Sequence, residues 1–430
     1  MKKVLKWILV VAVLVGVLWC GVASASTVAS GSCGVNGDNL TWSLDDAGTL
    51  TISGSGEMKD YTSTSDSNIP WYTNRTSIQS VNIVSGVTNI GKYAFSGCNS
   101  LTSITIPDSV TTIGFYAFYS CKSLTSITIP DNVTIIGDGA FRYCTNLRSI
   151  GVSDSNACFA SVDDILYSFD MTVLIWCPPN KQSVQIPDCV TKVGNHAFEN
   201  SRIQSLTLPN SVTSIGDGAF RECRDLSTIV IPNNVTSIGF SAFMDCRNLS
   251  TIMLPEGITD IKYGTFYGCE RLRKIVVPDG VTSIGSEAFS WCLYSNLDIT
   301  IPESVTSIGS KAFDYTYSVK VHYTGTPDMW SRINKGTSAL PSYTLYYQSD
   351  RWSISNGVLT ILPSCVISDV SSDYAVPWKD EKARLFPLSL NVSLHRFPGI
   401  GSPIARIWPT SQFRKASAVL ATPLSPAAAV

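Results

Sequence analysis

The chain has 430 residues, with 31 Lys and Arg against 33 Asp and Glu, a formal net charge of −2 and only 15% charged residues. So balanced a charge gives no electrostatic footprint for nucleic acid or for an anionic membrane surface. Ser and Thr supply most of the polarity, and the length exceeds what one small core needs.

Residues 1–25 read as a secretory signal peptide. Lys2, Lys3 and Lys6 form a positive start, Trp7 to Leu18 is apolar, and Ala23-Ser24-Ala25 is a small-residue cleavage site. The apolar stretch is short for a membrane anchor, and no later stretch of the mature chain is long and apolar enough to span a bilayer. The chain is therefore expected outside the cell, secreted or at the cell surface.

From residue 78 the chain repeats itself. "LTSITIP" occurs at Leu101 and again 23 residues later. An anchor, Ile-Gly-x-x-Ala-Phe-x-x-Cys, recurs with its Phe at Phe95, Phe118, Phe141, Phe198, Phe220, Phe243, Phe266, Phe289 and Phe313. Successive spacings are 23, 23, 57, 22, 23, 23, 23 and 24 residues. A fixed period in the twenties signals a leucine-rich-repeat solenoid. Within each repeat Leu-x-x-Ile-x-Ile alternates as a strand, Pro ends it in a turn, and Val-x-x-Ile begins a second short strand before Gly permits a bend. Tyr116 to Cys121 is too short for a regular helix and is expected to be a helical turn. The fold class is thus a mainly-β solenoid, with two short strands and a helical turn per coil. One coil cannot bury its apolar side alone, so stacked coils must present the same shape to one another.

Cys98, Cys121, Cys144, Cys223, Cys246, Cys269 and Cys292 share one repeat position. Side chains pointing the same way, on a small apolar residue, favour a ladder of buried free thiols over disulfides. With no His beside them and no Cys-x-x-Cys, they predict no metal site. Cys33, Cys158, Cys177, Cys189 and Cys365 lie off the ladder, and a bridge among Cys158, Cys177 and Cys189 stays open. Ser201 and Thr265 replace the ladder Cys and the anchor Ala in single repeats. Both are small enough to fit.

These repeats resemble the BspA-like, or Treponema-type, leucine-rich repeat family. "SGSCGVNGDNLTWSLDDAGTLTISGSGEM" is similar to the N-terminal cap of that family, placing a β-hairpin cap at 26–77 before the solenoid at 78–318. "VKVHYTGTPDMWSRI" is similar to the segment that closes its arrays, here 319–350. The resemblance implies a secreted or surface protein of a microbe, active in adhesion or protein binding. The 57-residue interval holds an irregular long unit, in which "DDILYSFDMTVLIWCPP" reads as a hairpin projecting from the stack at 151–186. Residues 351–383 echo the cap, Trp352 matching Trp42 and Pro377-Trp378 matching Pro70-Trp71. Residues 384–430 turn Pro-, Ala- and Arg-rich, which fits a disordered tail.

Little here suits catalysis. His196, His322 and His395 are the three His, and none stands beside a nucleophile in a motif. Asp and Asn after each turn Pro, such as Asp108, Asp131 and Asn210, are ordinary turn chemistry before they are a cation site. Arg221, Arg224, Arg247, Arg271, Arg273 and Lys274 are offset by Glu222, Asp225 and Glu270 beside them, and read as a solvated face. The aromatic residues are the better candidates for binding. Tyr93, Phe115, Tyr116, Tyr119 and Tyr143 cluster in the first repeats, and Phe240, Tyr263 and Tyr267 in later ones. Exposed rings are enriched in binding hot spots; the other reading is that each covers its neighbouring coil. The chain is expected to be a non-catalytic repeat protein, without cofactor, that binds a macromolecule, foremost a protein. A structural spacer, or the stub of a larger surface protein, is the second reading.

Overall fold

The computed structural model describes residues 25–294, 296–340, 343–347, 352–355 and 358–361. Residues 1–24 of the expected signal peptide, Cys365, Trp378 and the expected disordered tail lie outside the described residues. The fold is a mainly-β solenoid of about 12 coils, in two compact units that divide between Arg247 and Asn248.

The first unit begins with an antiparallel meander, β1 (Thr27–Gly34), β2 (Gly37–Asp45) and β3 (Thr49–Gly54). β3 then pairs in parallel with β4 (Ser80–Ile83), and β4 with Ser103–Thr105, so the meander starts the coil stack. Later strands of the same row pair in parallel at Ser126–Ile129 with Ser149–Val152 and at Ser205–Thr207 with Thr228–Val230. The alternation of the repeat sets their faces: Ile127 and Ile129 are buried, while Ser126 and Thr128 are exposed. The two-residue strands of Val-x-x-Ile form a second row, for example Asn89–Ile90, Thr112–Ile113 and Ile135–Ile136. The Gly that follows is required by close approach. A Cβ on Gly114 would stand 2.6 Å from the Lys92 nitrogen of the coil before.

The third side of each coil departs from the expected helical turn. In the first anchor, Ala94, Ser96 and Cys98 N–H groups donate to the carbonyls three residues earlier, at Gly91, Tyr93 and Phe95. The alternate N–H groups of Tyr93, Phe95 and Gly97 donate to Phe115, Ala117 and Tyr119 of the next coil. A helix would turn all of them along its own axis. Here the residues two before and two after each anchor Phe have positive φ, such as Tyr116 at 54° and Ser120 at 62°. That reverses every second peptide and joins the turns into a ladder.

Anchor rings stack inside. Phe95 and Phe118 lie 5.5 Å apart at 15°, and Phe118 and Phe141 5.8 Å apart at 5°. Trp71 of the cap stacks on Phe95 at 5.6 Å and its indole N–H donates to the Ala94 carbonyl, closing that column from below. The ladder cysteines are buried free thiols, and five of them donate from Sγ to the Phe carbonyl of the coil before, Cys246 and Cys292 among them: Cys121 to Phe95 at 3.2 Å, Cys144 to Phe118 at 3.1 Å, Cys223 to Phe198 at 2.9 Å. Thr316 takes the same place in the last coil, its hydroxyl donating to Phe289 at 2.7 Å. The position therefore wants a small side chain with one donor, which explains Cys better than size alone. Cys158, Cys177 and Cys189 are unbridged.

The long interval does not project. Phe159–Val162, Ile165–Ser168 and Val173–Trp176 form an antiparallel sheet, and the last strand pairs in parallel with Lys192–Val193. Asp163 and Asp164, both with positive φ, make the tight two-residue turn. Ile165, Leu166 and Tyr167 are all buried, so the hairpin is drawn into the stack by its apolar residues. It repeats the antiparallel, antiparallel, parallel order of β1 to β4. Ser201 and Thr265 are buried in their substituted places.

The second unit holds a four-stranded parallel row, Lys274–Val276, Asn296–Ile301, Ser318–Tyr323 and Tyr343–Tyr347, and a second row of two-residue strands. Phe266, Phe289 and Phe313 stack at 5.3 and 5.2 Å. The short helix α1 (Pro327–Arg332) is capped by Thr326, whose hydroxyl accepts from the Met329 N–H. Its Trp330 is buried against Tyr323 at 5.0 Å. Beyond it, Trp352–Ser355 pairs antiparallel with Val358–Ile361, with Trp352 in register with Ile361 as Trp42 is with Ile52 in the cap.

Candidate functional site

The turn ladder sets where variable side chains stand. Residues near the anchor Phe that do not point inward line one edge of each coil, and the aromatic candidates lie there. In the first unit the structure brings the early five together. Tyr93 meets Phe115 at 5.6 Å and Tyr116 at 5.5 Å, Phe115 stacks on Tyr116 at 3.9 Å, and Tyr119 joins Tyr116 and Tyr143 at 5.3 Å each. All five are half-buried. Burial raises the Tyr93 and Tyr119 phenols above their ordinary range.

Beneath these rings lies a charge cluster that sequence reasoning missed. Arg142 sits 5.5 Å from the Tyr116 ring and 5.1 Å from that of Tyr143, and it donates to the Tyr116 hydroxyl. Its Nε stands 2.6 Å from Glu199, whose side chain is 2% exposed. His196 Nδ1 approaches the same carboxylate at 2.9 Å and Arg221 at 3.6 Å. The Tyr143 hydroxyl donates to Glu222, which also faces Arg221 and Arg224. Burial alone would pull the Arg142 guanidinium down; the Glu199 carboxylate more than reverses this and keeps it charged. Burial, then the bond to Glu222, pushes the Tyr143 phenol up. The cavity among Phe141, Arg142, Trp176, His196 and Glu199 measures about 10 Å³, room for a single water and no ligand. Arg221, Arg224 and Glu222 were visible as neighbours in the sequence; the signal for Arg142 and Glu199 was the 57-residue interval, which lets residues 142 and 199 meet.

Phe240, 51% exposed, also lies in the first unit, while Tyr263, 43% exposed, and half-buried Tyr267 lie in the second. There they belong to a larger aromatic edge. Tyr267 lies 6.5 Å from Trp291, Trp291 4.7 Å from Tyr315, and the Tyr263 hydroxyl donates to Glu287 at 3.0 Å. Tyr294 and Tyr317 are 76% and 83% exposed, and Tyr315 59%. Trp291 and Tyr315 stand two residues after their anchor Phe, as Tyr143 does, so the repeat register was the signal that could have found them. Of the basic residues read as a solvated face, Arg224 is offset by Glu222 at 3.3 Å as expected, Arg247 faces Asp245 at 3.7 Å, which was not among the expected partners, and Arg221 departs from that reading by turning toward buried Glu199. His322 lies 3.2 Å from Asp298 on an open strand face. Among the described residues no group of His, Cys, Asp or Glu could hold a metal ion, and no helix is long and apolar enough to cross a membrane.

The family profile of the BspA type leucine rich repeat region matches the chain in six copies, over residues 70–165, 175–296 and 292–328. No curated protein matches it. Among solved structures, a leucine-rich repeat protein from Eubacterium ventriosum is 27% identical with a TM-score of 0.54, over 76% of this chain and 99% of that one. A leucine rich cell surface protein from Faecalibacterium prausnitzii is 23% identical with a TM-score of 0.46, over 73% of this chain and 98% of its own. The pneumococcal vaccine antigen PcpA is 18% identical with a TM-score of 0.46, over 75% and 99%.

Proposed function

The chain belongs to the BspA type leucine rich repeat family, and on that premise we propose that it is a secreted or cell-surface protein that binds a protein partner in adhesion, without catalysis. Its family supports an interaction role. The apolar stretch from Trp7 to Leu18 with its small-residue cleavage site supports export.

One observation carries the binding site: the aromatic edge of the second unit, where Trp291, Tyr294, Tyr315 and Tyr317 are 40%, 76%, 59% and 83% exposed. Large amphipathic rings held by a rigid backbone give much contact area with few rotors to freeze, the chemistry of protein hot spots. Tyr263 and Tyr267 extend this edge. In the first unit Phe115 and Tyr119 are proposed as a second contact area, and Tyr93, Tyr116 and Tyr143 as its supports. Phe240, 51% exposed, is a further candidate contact in the first unit.

The test is capture of host and microbial surface proteins on the immobilised full chain, beside a variant carrying Tyr294→Ala and Tyr317→Ala. The reading expects a protein held by the parent and lost from the variant. Equal capture by both removes this edge from the site.

A further inference from the structure

Two successive coils of the second unit carry matched variable residues. Glu287 and Lys311 stand two residues before their anchor Phe, Trp291 and Tyr315 two after it, and Leu293 and Tyr317 four after it. The turn ladder sets these pairs side by side. The N–H groups of Glu287, Phe289 and Trp291 donate to the carbonyls of Ser310, Ala312 and Asp314, and Trp291 meets Tyr315 at 4.7 Å. Leu293 is 38% exposed, so the apolar character runs on past the rings toward Tyr317. At about 150–250 Å² per aromatic side chain, the exposed parts of Trp291, Tyr294, Tyr315 and Tyr317 present roughly 500 Å². A soluble protein that stays alone leaves about 300–600 Å² in its largest apolar patch, so this one stands near the upper end. Two such faces pressed together bury about 1,000 Å², the area at which an interface becomes specific.

The charges narrow what fits. The same repeat position is negative at Glu287 and positive at Lys311. Glu287 is held by the Tyr263 hydroxyl at 3.0 Å, while exposed Lys311 forms no ion pair among the described residues. We propose that this edge docks on the same edge of a second copy of the chain, with the two solenoid units antiparallel. This rests on the edge being the binding surface, as read above, and names the partner. A two-fold axis in the contact plane, running along the turns midway between the two coils, exchanges one coil for the other. It sets Glu287 against Lys311 of the second copy, Trp291 against its Tyr315 and Leu293 against its Tyr317, each contact made twice as a closed pair requires. A partner of one charge sign meets one attractive and one repulsive residue here; a second copy meets two attractive ones.

Sedimentation velocity of the purified full chain from about 1 to 100 µM tests this, a range suited to an interface of modest area. The parent passes from monomer to dimer across it. The variant with Tyr294→Ala and Tyr317→Ala dimerises about tenfold or more weakly while its thermal midpoint holds. Lys311→Glu and Glu287→Lys, each alone, are monomers, because like charges then face one another twice. Mixed in equal amounts the two charge variants pair again, an outcome that misfolding of either cannot produce. A parent that stays monomeric throughout, a dimer that survives the ring variant, or charge variants that do not pair on mixing overturns the proposal. A monomeric parent that still captures a foreign protein through Tyr294 and Tyr317 ends self-docking and leaves the binding role standing. A dimer broken by the ring variant, beside no foreign capture, supports self-docking and ends the foreign partner.

Discussion

The turn edges of the two units carry the same kind of ring at the same repeat position, with different fates. Tyr143 and Trp291 each stand two residues after an anchor Phe. Tyr143 is half-buried and its hydroxyl donates to Glu222, while Trp291 is 40% exposed and meets only other rings among its aromatic contacts. The cause lies in the intervals. The 57-residue interval puts Arg142 against Glu199, and buried charges draw rings around them. Around Trp291 the intervals are 23 and 24 residues, and the rings there stay more open. Repeat position fixes where a side chain stands; the neighbouring coil decides whether it is free to bind.

Beneath both edges the two units share one device, the Phe column, and it sets the scale. Phe118→Ala and Phe289→Ala should each cost roughly 3–5 kcal/mol, the range for a core Phe. Denaturant midpoints of the two variants measure it. An unchanged midpoint for either would remove that column from the core of its unit.

The charge cluster should separate the units. Glu199→Gln leaves Arg142, with its side chain 11% exposed, facing no carboxylate of its own, and should cost about 3 kcal/mol, the penalty of breaking a buried pair. Replacing Arg142 by Met in the same chain should recover part of that loss, because the stranded charge goes too. If Glu199→Gln is as stable as the parent, the rings of the first unit are not held by this pair.

The ladder position offers a finer cut. Cys121→Thr keeps a donor for the Phe95 carbonyl, as Thr316 does for Phe289, whereas Cys121→Val, nearly the same shape, leaves it unmet. The Val variant should be less stable than the Thr variant by about 1 kcal/mol, the net value of one hydrogen bond. The same thiols should resist a labelling reagent. Burial pushes Cys98 and Cys292 up to about 12, while exposed Cys189 should label at once in the native protein. Rapid labelling of Cys98 would contradict the buried ladder.

The coils were legible because stacking forces each to repeat the last: the Phe, Cys and Ile positions all follow from a 23-residue register. The alternating φ of the turn was not, since Tyr93, Ser120 and Glu222 occupy left-handed positions that composition would assign to Gly. Nor was the packing of the long hairpin, whose strand Ile165–Ser168 is apolar on both faces and so is drawn inward. The early aromatic cluster was visible as five rings near one another; its burial was not, because Arg142 and Glu199 are distant in sequence. Trp291 and Tyr315 could have been found by reading the register two places past each Phe.

The smallest effect on stability is also the sharpest test of the comparison. Tyr317 is 83% exposed, and Tyr317→Ala should leave stability within about 0.5 kcal/mol, as for most surface substitutions. Tyr116 is half-buried between Phe115, Tyr119 and the Arg142 guanidinium. Tyr116→Ala should cost about 1–2 kcal/mol by losing those contacts. Binding should run the other way. A partner captured through the second unit loses affinity with Tyr317→Ala and keeps it with Tyr116→Ala once both are measured well below their midpoints. Should Tyr116→Ala abolish binding while leaving stability intact, the early cluster is the contact surface and the charge cluster beneath it serves the partner instead of the fold.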